Sequence, residues 1–270
     1  MTAAPHRLRL SAGEYAYLVE RLGLSMPPGW EADERTAADP GDLAERGVLP
    51  DDLATVHPSV ALNLRILGAP TVMVDTTVTI GGSTLHGLHA LAGPLGASLF
   101  ALEDGAVELS LFEAVDLGRE LARAVPPDED APASMSIMSR LDAGDPPEPP
   151  RGEVPLSALH ELGAAELLRG ADPDAPAAVL RRLALPAPEA GLATRVASRT
   201  DGTLVSLVTA RTGDTGTVLW LHTDAGWSGL RPLARHEGRA MMYLEPVART
   251  DLGVWAAPYI AAALEVTSVG

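Results

Sequence analysis

The order of helical and strand-like segments is used twice along this chain. Residues 41 to 125 show a helical pattern, then a run of strand patterns, then a short helical pattern, and residues 153 to 264 repeat that order. In each half an apolar helical segment ends in a proline before the strands begin, from Val60 to Pro70 and from Ala178 to Pro186. The repeat predicts two fused half-units that share one core, a normal arrangement for 270 residues.

The strand patterns of the first half predict antiparallel hairpins. Thr71 to Ile80 is rich in β-branched residues whose apolar positions alternate, so one face of this strand should be buried. Turn signals then recur at intervals of roughly ten residues, which favours an antiparallel meander. These signals are Gly81-Gly82, Gly93-Pro94 and Glu103-Asp104-Gly105. In the helical part before them, Ser11 and Glu14 form a capping-box pattern that predicts a helix start.

The second half is expected to follow the same plan after two helices, Leu156 to Arg169 and Ala175 to Leu185. Three strands are predicted, at Ala193 to Ser198, Leu204 to Thr209 and Val218 to Thr223. Their predicted turns are Asp201-Gly202 and Thr212 to Gly216, and the Gly-rich stretch Gly226 to Gly229 is interpreted as hairpin-like and mobile.

The chain is divided into an N-terminal half-repeat at 1–125, a proline-rich connection at 126–155 and a C-terminal half-repeat at 156–270, all within one domain. Within the connection, Ser134 to Ser139 alternates like a strand, and Pro146 to Pro150 is the segment most expected to be disordered.

Composition excludes several classes of function. The chain has no cysteine, which excludes disulfides, zinc–thiolate sites and thiol nucleophiles. All 20 basic residues are arginine, as in proteins from GC-rich genomes. The net charge of −16 would repel nucleic acid and anionic membranes. No apolar run is long enough for a membrane helix or a signal peptide, so we expect a cytoplasmic protein.

No reaction centre, metal site or cofactor site is recognisable. His86 and His89 are three residues apart on a predicted strand and should face opposite sides, so they cannot share a metal ion. The other histidines, His222 among them, are scattered and are expected to lack carboxylate partners. Gly81-Gly82-Ser83-Thr84 lacks the lysine of a phosphate loop. The sequence therefore favours a binding protein over an enzyme.

The candidate partner-binding residues lie in the second half. We expect the surface to comprise the sheet around Leu204 to Leu221 and the turn formed by Thr212, Gly213, Asp214, Thr215 and Gly216, together with Trp227 and Leu230. Trp227 has two open interpretations, an exposed anchor at an interface or a core residue.

One resemblance joins these observations. The segments Leu10 to Leu24, Glu34-Arg35, Leu43 to Val48 and Leu62 to Pro70 running into strands resemble the EspG family, as does the order of the second half. EspG proteins are cytosolic chaperones of the ESX, or type VII, secretion systems of actinobacteria.

The resemblance implies an α+β fold with quasi-two-fold symmetry, in which a mostly antiparallel central sheet is flanked by two helical bundles. It also implies a partner, a helical-hairpin secretion substrate of PPE type paired with a PE protein, or a WXG100-like protein. Family members hold the tip of the client's helices against the sheet, a sheet loop and the C-terminal bundle. Release would be passive or driven by the secretion machine, since no ATP site is visible.

Two alternatives stay open. One is a structural or regulatory interaction protein unrelated to secretion, for which a homo-oligomer is compatible with the sequence. The other is an enzyme with a carboxylate-based site assembled from unremarkable residues, which a concave pocket with perturbed carboxylates would support.

Overall fold

A computed structural model describes residues 7–31, 40–49, 55–127, 148–211, 213, 215–235 and 238–268. The elements of the first half are β1 (Arg7–Leu10), α1 (Ala12–Arg21), α2 (Pro40–Glu45), α3 (Pro58–Gly68), β2 (Val72–Ile80), β3 (Ser83–Ala92), β4 (Leu95–Ala101), β5 (Val107–Glu113), a 3-10 turn (Ala114–Asp116) and α4 (Leu117–Ala122). Those of the second half are β6 (Gly152–Pro155), α5 (Leu156–Leu168), α6 (Ala175–Leu183), α7 (Ala187–Arg199), β7 (Thr200–Ala210), β8 (Thr215–Thr223), β9 (Gly226–Pro232), β10 (Met241–Pro246), a 3-10 turn (Arg249–Asp251) and α8 (Leu252–Ser268).

The described strands form one antiparallel sheet. From its centre to each edge, the strands of the two halves follow in the same order. The order is β1-β5-β4-β3-β2-β7-β8-β9-β10-β6, so β2 and β7 lie side by side in the middle and β1 and β6 form the edges. Each half thus contributes an edge strand, three helices, a four-stranded meander and a final helix in the same sequence order. The expected α+β fold with quasi-two-fold symmetry is confirmed. The exact boundaries 1–125, 126–155 and 156–270 stay a prediction, and β6 lies within the stretch assigned to the connection.

The two faces of the sheet are covered differently. One face, which we call the core face, packs against α4 and α8 and carries Val74, Leu204 and Trp220 at its centre. The opposite face, which we call the bundle face, packs against α1–α3 on β3, β4 and β5. At its other end the bundle face packs against α5–α7 on β9 and β10. Between those two bundles, the middle of β2, the strand β7 and the start of β8 are covered by helices on the core face only.

A three-residue motif begins the last helix of each half. Asp116-Leu117-Gly118 starts α4 and Asp251-Leu252-Gly253 starts α8. Leu117 and Leu252 are both buried. A Cβ placed at Gly253 would lie 2.8 Å from Gly118 Cα, so the glycines allow α4 and α8 to touch backbone to backbone. The same motif, Asp-Leu-Gly, is therefore a sequence signature of the repeat.

Several local predictions are confirmed. Ser11 Oγ accepts from the Glu14 amide at 3.2 Å, and Glu14 Oε2 accepts from the Ser11 amide at 2.7 Å, which is the predicted capping box of α1. The Gly81-Gly82 turn joins β2 to β3, and both glycines have positive φ, 56° and 88°, as this hairpin turn requires.

Two predictions in the second half are wrong. Ala193 to Ser198 is part of α7 rather than a strand, because Leu192, Ala193 and Val196 have helical spacing and all three are buried. Asp201-Gly202 is not a turn. It lies inside β7, where Gly202 pairs with Ile80 and with His222 and the register shifts between Thr200 and Gly202, as at a β-bulge.

Two further expectations are changed in part. The stretch from Gly226 to Gly229 is not a mobile loop but the start of β9, and Gly229 has no side chain because the Trp255 ring packs directly on it. Pro150, expected to be disordered, is buried, and its carbonyl accepts from Ser228 Oγ at 3.0 Å. The predicted strand from Ser134 to Ser139 lies outside the described residues.

Candidate partner-binding surface

The bundle face of the sheet exposes a group of side chains on its central strands, which we call the central strip. The strip consists of Thr77 on β2, Val205 and Leu207 on β7, and Thr215 and Thr217 on β8. Val205 and Leu207 are each 40% exposed. The strip is therefore an open surface of threonine and aliphatic side chains between two helical bundles, and Asp75 of β2 lies beside it, directly opposite Leu207.

Strand register fixes how these side chains neighbour one another. Thr77 lies directly opposite Val205, and Leu207 lies directly opposite Thr217. Side chains alternate between the faces along a strand, so Leu204, Ser206 and Val208 are buried in the core face while the residues between them point to the open side. The run from Leu204 to Val208 is apolar on both faces, a pattern that an ordinary half-buried strand would not show.

The two margins of the strip differ. On the β3 side, His86 Nε2 lies 2.6 Å from Asp75 Oδ1, and the Trp30 ring lies 4.2 Å from the His86 ring, centroid to centroid. On the β8 side, Leu219 and Leu221 are half-buried against the bundle of α5–α7. One margin is thus ionic and aromatic, and the other is aliphatic.

Only part of the predicted turn lies at the strip. Thr215 belongs to the strip, and Gly213 lies at the adjoining turn with a φ of 91°. Gly216 points to the core face, where the Tyr259 ring of α8 packs against it. Thr212 and Asp214 lie outside the described residues.

Of the two interpretations of Trp227, the structure supports the core residue and not the exposed anchor. Trp227 is 3% exposed and packs with Trp220 on the core face, with ring centroids 6.2 Å apart. Trp255 packs against Trp220 at 6.0 Å, so the three indoles form one cluster beneath α8. Leu230 is also buried, but on the bundle face against α5–α7. Residues 227 and 230 of β9 therefore point to opposite sides and share no surface.

Two histidines, His86 and His222, pair with carboxylates. His86 points to the bundle face and His89 to the core face, so their predicted separation is confirmed. The statement that His222 lacks a carboxylate neighbour is wrong, because His222 Nδ1 lies 2.6 Å from Asp201 Oδ1 across the β7–β8 pair. Among the described residues, no group of three or more histidine, aspartate or glutamate side chains is arranged to hold a metal ion.

A buried polar network lies on the core face beneath α4. Glu120 is 1% exposed and pairs with Arg123, with Nη1 and Oε2 2.8 Å apart, and Arg123 also pairs with Glu108. Ser98 Oγ donates to Glu120 Oε2 at 3.3 Å. His89 Nε2 lies 3.2 Å from the Glu120 carbonyl oxygen, and burial lowers the pKa of His89 to about 4. These charges are paired within the core, so the network fixes α4 on the sheet and offers no open reaction site.

None of the helices within the described residues is both long and apolar enough to cross a membrane.

Comparison with known proteins gives a likeness of fold. No protein-family model and no curated protein matches the sequence. Among solved structures, the chain is similar to the type VII secretion system chaperone EspG5 of Mycobacterium tuberculosis, which was solved in complex with a PE25–PPE41 dimer. The two chains are 14% identical, the TM-score is 0.63, and the match covers 93% of this chain and 95% of the other. At this identity the likeness establishes the fold, and this chain has the fold of the EspG5 chaperone, as its resemblance to the EspG family implied.

Proposed function

We propose that this protein is a cytoplasmic chaperone that binds helical-hairpin secretion substrates of PE/PPE type and keeps them soluble until export. The observation that carries this proposal is the central strip, an open sheet surface between two helical bundles in a fold shared with a chaperone that binds a PE–PPE dimer. A WXG100-like protein, which also consists of a helical hairpin, is the second partner class that this surface suits.

The strip has the chemistry of a reversible protein contact. Val205 and Leu207 supply apolar area, and the threonines around them supply short side chains that let a helix approach the sheet. A client with an apolar tip would aggregate on its own, and covering that tip removes the exposed apolar patch. The net charge of −16 would then keep the complex dispersed.

The residues proposed from the sequence take different roles in this interface. The turn of Thr212, Gly213, Asp214, Thr215 and Gly216 stays a proposed contact, because it adjoins the strip at the end of β7 and β8. Trp227 and Leu230 are buried. We therefore propose that they support β9 from its two sides rather than touch the partner.

Co-expression tests the proposal. The tagged full chain is produced with a panel of PE–PPE pairs, beginning with PE25–PPE41, and retained complexes are measured by affinity purification and size-exclusion chromatography. We expect at least one pair to be retained as a stoichiometric complex.

Leu207→Asp should abolish retention, because it places an unpaired carboxylate in the buried contact. The matched control is Val115→Asp, since Val115 is 87% exposed and lies next to α4 on the far side of the sheet. Retention of no pair, or equal retention by both variants, would refute the proposed function at this surface.

Self-association is a second proposal, and it rests on α8. Val254 is 69% exposed and Tyr259 is 37% exposed on a helix that carries few charges. If two copies meet there, the molar mass from light scattering should equal that of a dimer, and Val254→Asp should return it to 28.1 kDa. A monomer at all concentrations in the unmodified chain would remove this proposal.

A further inference from the structure

The position of the pseudo-two-fold axis follows from strand register. The paired segment of β2 and β7 extends from Val72 opposite Ala210 to Ile80 opposite Gly202. Its middle pair is Thr76 and Ser206, whose hydroxyl oxygens are 2.7 Å apart in the core face. An axis through that pair makes residues of β2 and β7 equivalent when they lie the same number of positions before, or after, Thr76 and Ser206 in their own strand. It also brings the start of α1 onto that of α5, and the motif before α4 onto the motif before α8.

The axis identifies equivalent positions on the open side of the sheet. Asp75 precedes Thr76 as Val205 precedes Ser206, so these two positions are equivalent. Thr77 and Leu207 are equivalent in the same way. His86 lies opposite Thr77 on β3, and Thr217 lies opposite Leu207 on β8, so His86 and Thr217 also correspond.

The backbone is thus repeated, but the side chains on the open face are not. The first half presents Asp75, Thr77 and His86 at positions where the second half presents Val205, Leu207 and Thr217. Asp75 is held by His86, against which Trp30 stacks. The next position outwards is a leucine in both halves, Leu88 opposite Asp75 and Leu219 opposite Val205, so the difference is confined to the three equivalent pairs.

We propose that this difference between the halves fixes the orientation of a two-helix partner on the sheet. The inference rests on the proposed function. The partner's first helix end places large apolar side chains on Val205 and Leu207. Its second helix end places an arginine or lysine side chain beside Asp75. Charge and apolar complementarity on this surface therefore specify a helical-hairpin tip that is cationic on one helix and apolar on the other.

The physical need for such a device follows from the symmetry of the scaffold. A helical hairpin laid across a two-fold surface has two orientations related by a half-turn, and identical halves would bind both equally. In the wrong orientation, apolar side chains would cover the Asp75 carboxylate, which would lose its remaining hydration and keep only its contact with His86. Specificity between the orientations is then a difference of two affinities, set by the unfavourable contact as much as by the favourable one.

The test measures partner chemistry directly. A displayed library of an antiparallel two-helix scaffold, with the tip residues of both helices randomised, is selected on the immobilised full chain. We expect selected tips to carry arginine or lysine on one helix and leucine, methionine or phenylalanine on the other. Their binding should fall at least tenfold with Leu207→Asp and change less than twofold with Val115→Asp.

Two variants of the chain examine the orientation itself. In the double variant Asp75→Val with Val205→Asp, a single tip selected on the unmodified chain should bind turned by a half-turn, so a photo-reactive residue on its basic helix should crosslink to the chain near position 205 instead of position 75. Asp75→Asn, which keeps the shape of the side chain, should remove the preference for basic residues. Unchanged melting curves confirm that both variants are folded.

The outcomes separate this inference from the proposed function. Binders that depend on Leu207 but show no basic–apolar division, or that are indifferent to the exchange of positions 75 and 205, overturn the orientation proposal alone. A library that yields no Leu207-dependent binder overturns both proposals.

Discussion

Replacing Gly253 with alanine should destabilise the fold, whereas the same change at Gly118 should not. The two glycines hold the same place in the repeated Asp-Leu-Gly motif and face each other where α4 and α8 meet. A Cβ at Gly253 would lie 2.8 Å from Gly118 Cα, and a backbone atom cannot move aside as a flexible side chain would. A Cβ at Gly118 would have its nearest such neighbour, Gly253 Cα, at 4.0 Å, an ordinary contact.

The magnitudes follow from these distances. Overpacking of a close contact costs about 1–3 kcal/mol, and alanine recovers roughly 0.5–1 kcal/mol of helix preference over glycine. Gly253→Ala should therefore lower the free energy of unfolding by about 1–2 kcal/mol, while Gly118→Ala should leave it equal or raise it by up to ~1 kcal/mol. In a chain of this size, 1 kcal/mol shifts the melting temperature by roughly 2–4 °C.

Urea unfolding followed by circular dichroism, with melting curves in parallel, measures both variants against the unmodified chain. Gly191→Ala is a further control, because a Cβ there would meet nothing within 4 Å. Equal stability of Gly253→Ala and Gly118→Ala, or a more stable Gly253→Ala, would refute the argument that α4 and α8 touch backbone to backbone.

Three more predictions concern the sheet and its core face. In the folded chain the pKa of His89 is about 4, below the ordinary value of ~6.5. As the pH falls, the unfolded chain therefore binds a proton at this histidine before the folded chain does. The free energy of unfolding is lost between about pH 6.5 and pH 4. His89→Leu should therefore flatten the pH dependence of unfolding between pH 7 and 5 by about 2 kcal/mol, and an unchanged slope would contradict this. Trp227→Ala should destabilise by about 3–5 kcal/mol in urea unfolding, as expected for a core indole, and a loss under ~1 kcal/mol would argue against its burial. Gly229→Ala should displace the Trp255 ring and change its near-ultraviolet dichroism while lowering stability by about 1–3 kcal/mol, and an unaltered spectrum would count against the glycine–indole contact.

Much of the fold was predictable because its hairpins have local signals. Gly81-Gly82 and Glu103-Asp104-Gly105 mark turns whose backbone conformation few other residues adopt, and both join neighbouring strands in the structure. The edge strands β1 and β6 were missed because four residues are too few to establish a period. The error at Ala193 to Ser198 has a related cause, since a short alanine-rich segment fits either period until its packing partners are known.

The candidate site was predictable only as a region. The sheet around Leu204 to Leu221 was identified, and it contains most of the central strip. Which of its residues are exposed depends on which face of the sheet α4 and α8 cover. Tertiary packing decides this, and no local sequence pattern predicts it. Trp227 illustrates the same limit, because its Gly-rich surroundings suggested a mobile loop, whereas those glycines make room for aromatic rings.

Site-specific photo-crosslinking tests the central claim most directly, namely that the central strip is where a helical secretion substrate binds. A photo-reactive phenylalanine derivative is introduced at Leu207, or at Val254 on the outer surface of α8, and each chain is co-expressed with a PE–PPE pair and irradiated. We expect a crosslink from position 207 to the tip of the client's helices, identified by mass spectrometry, and no crosslink to the client from position 254. Crosslinking of the client from position 254 but not from 207 would contradict it.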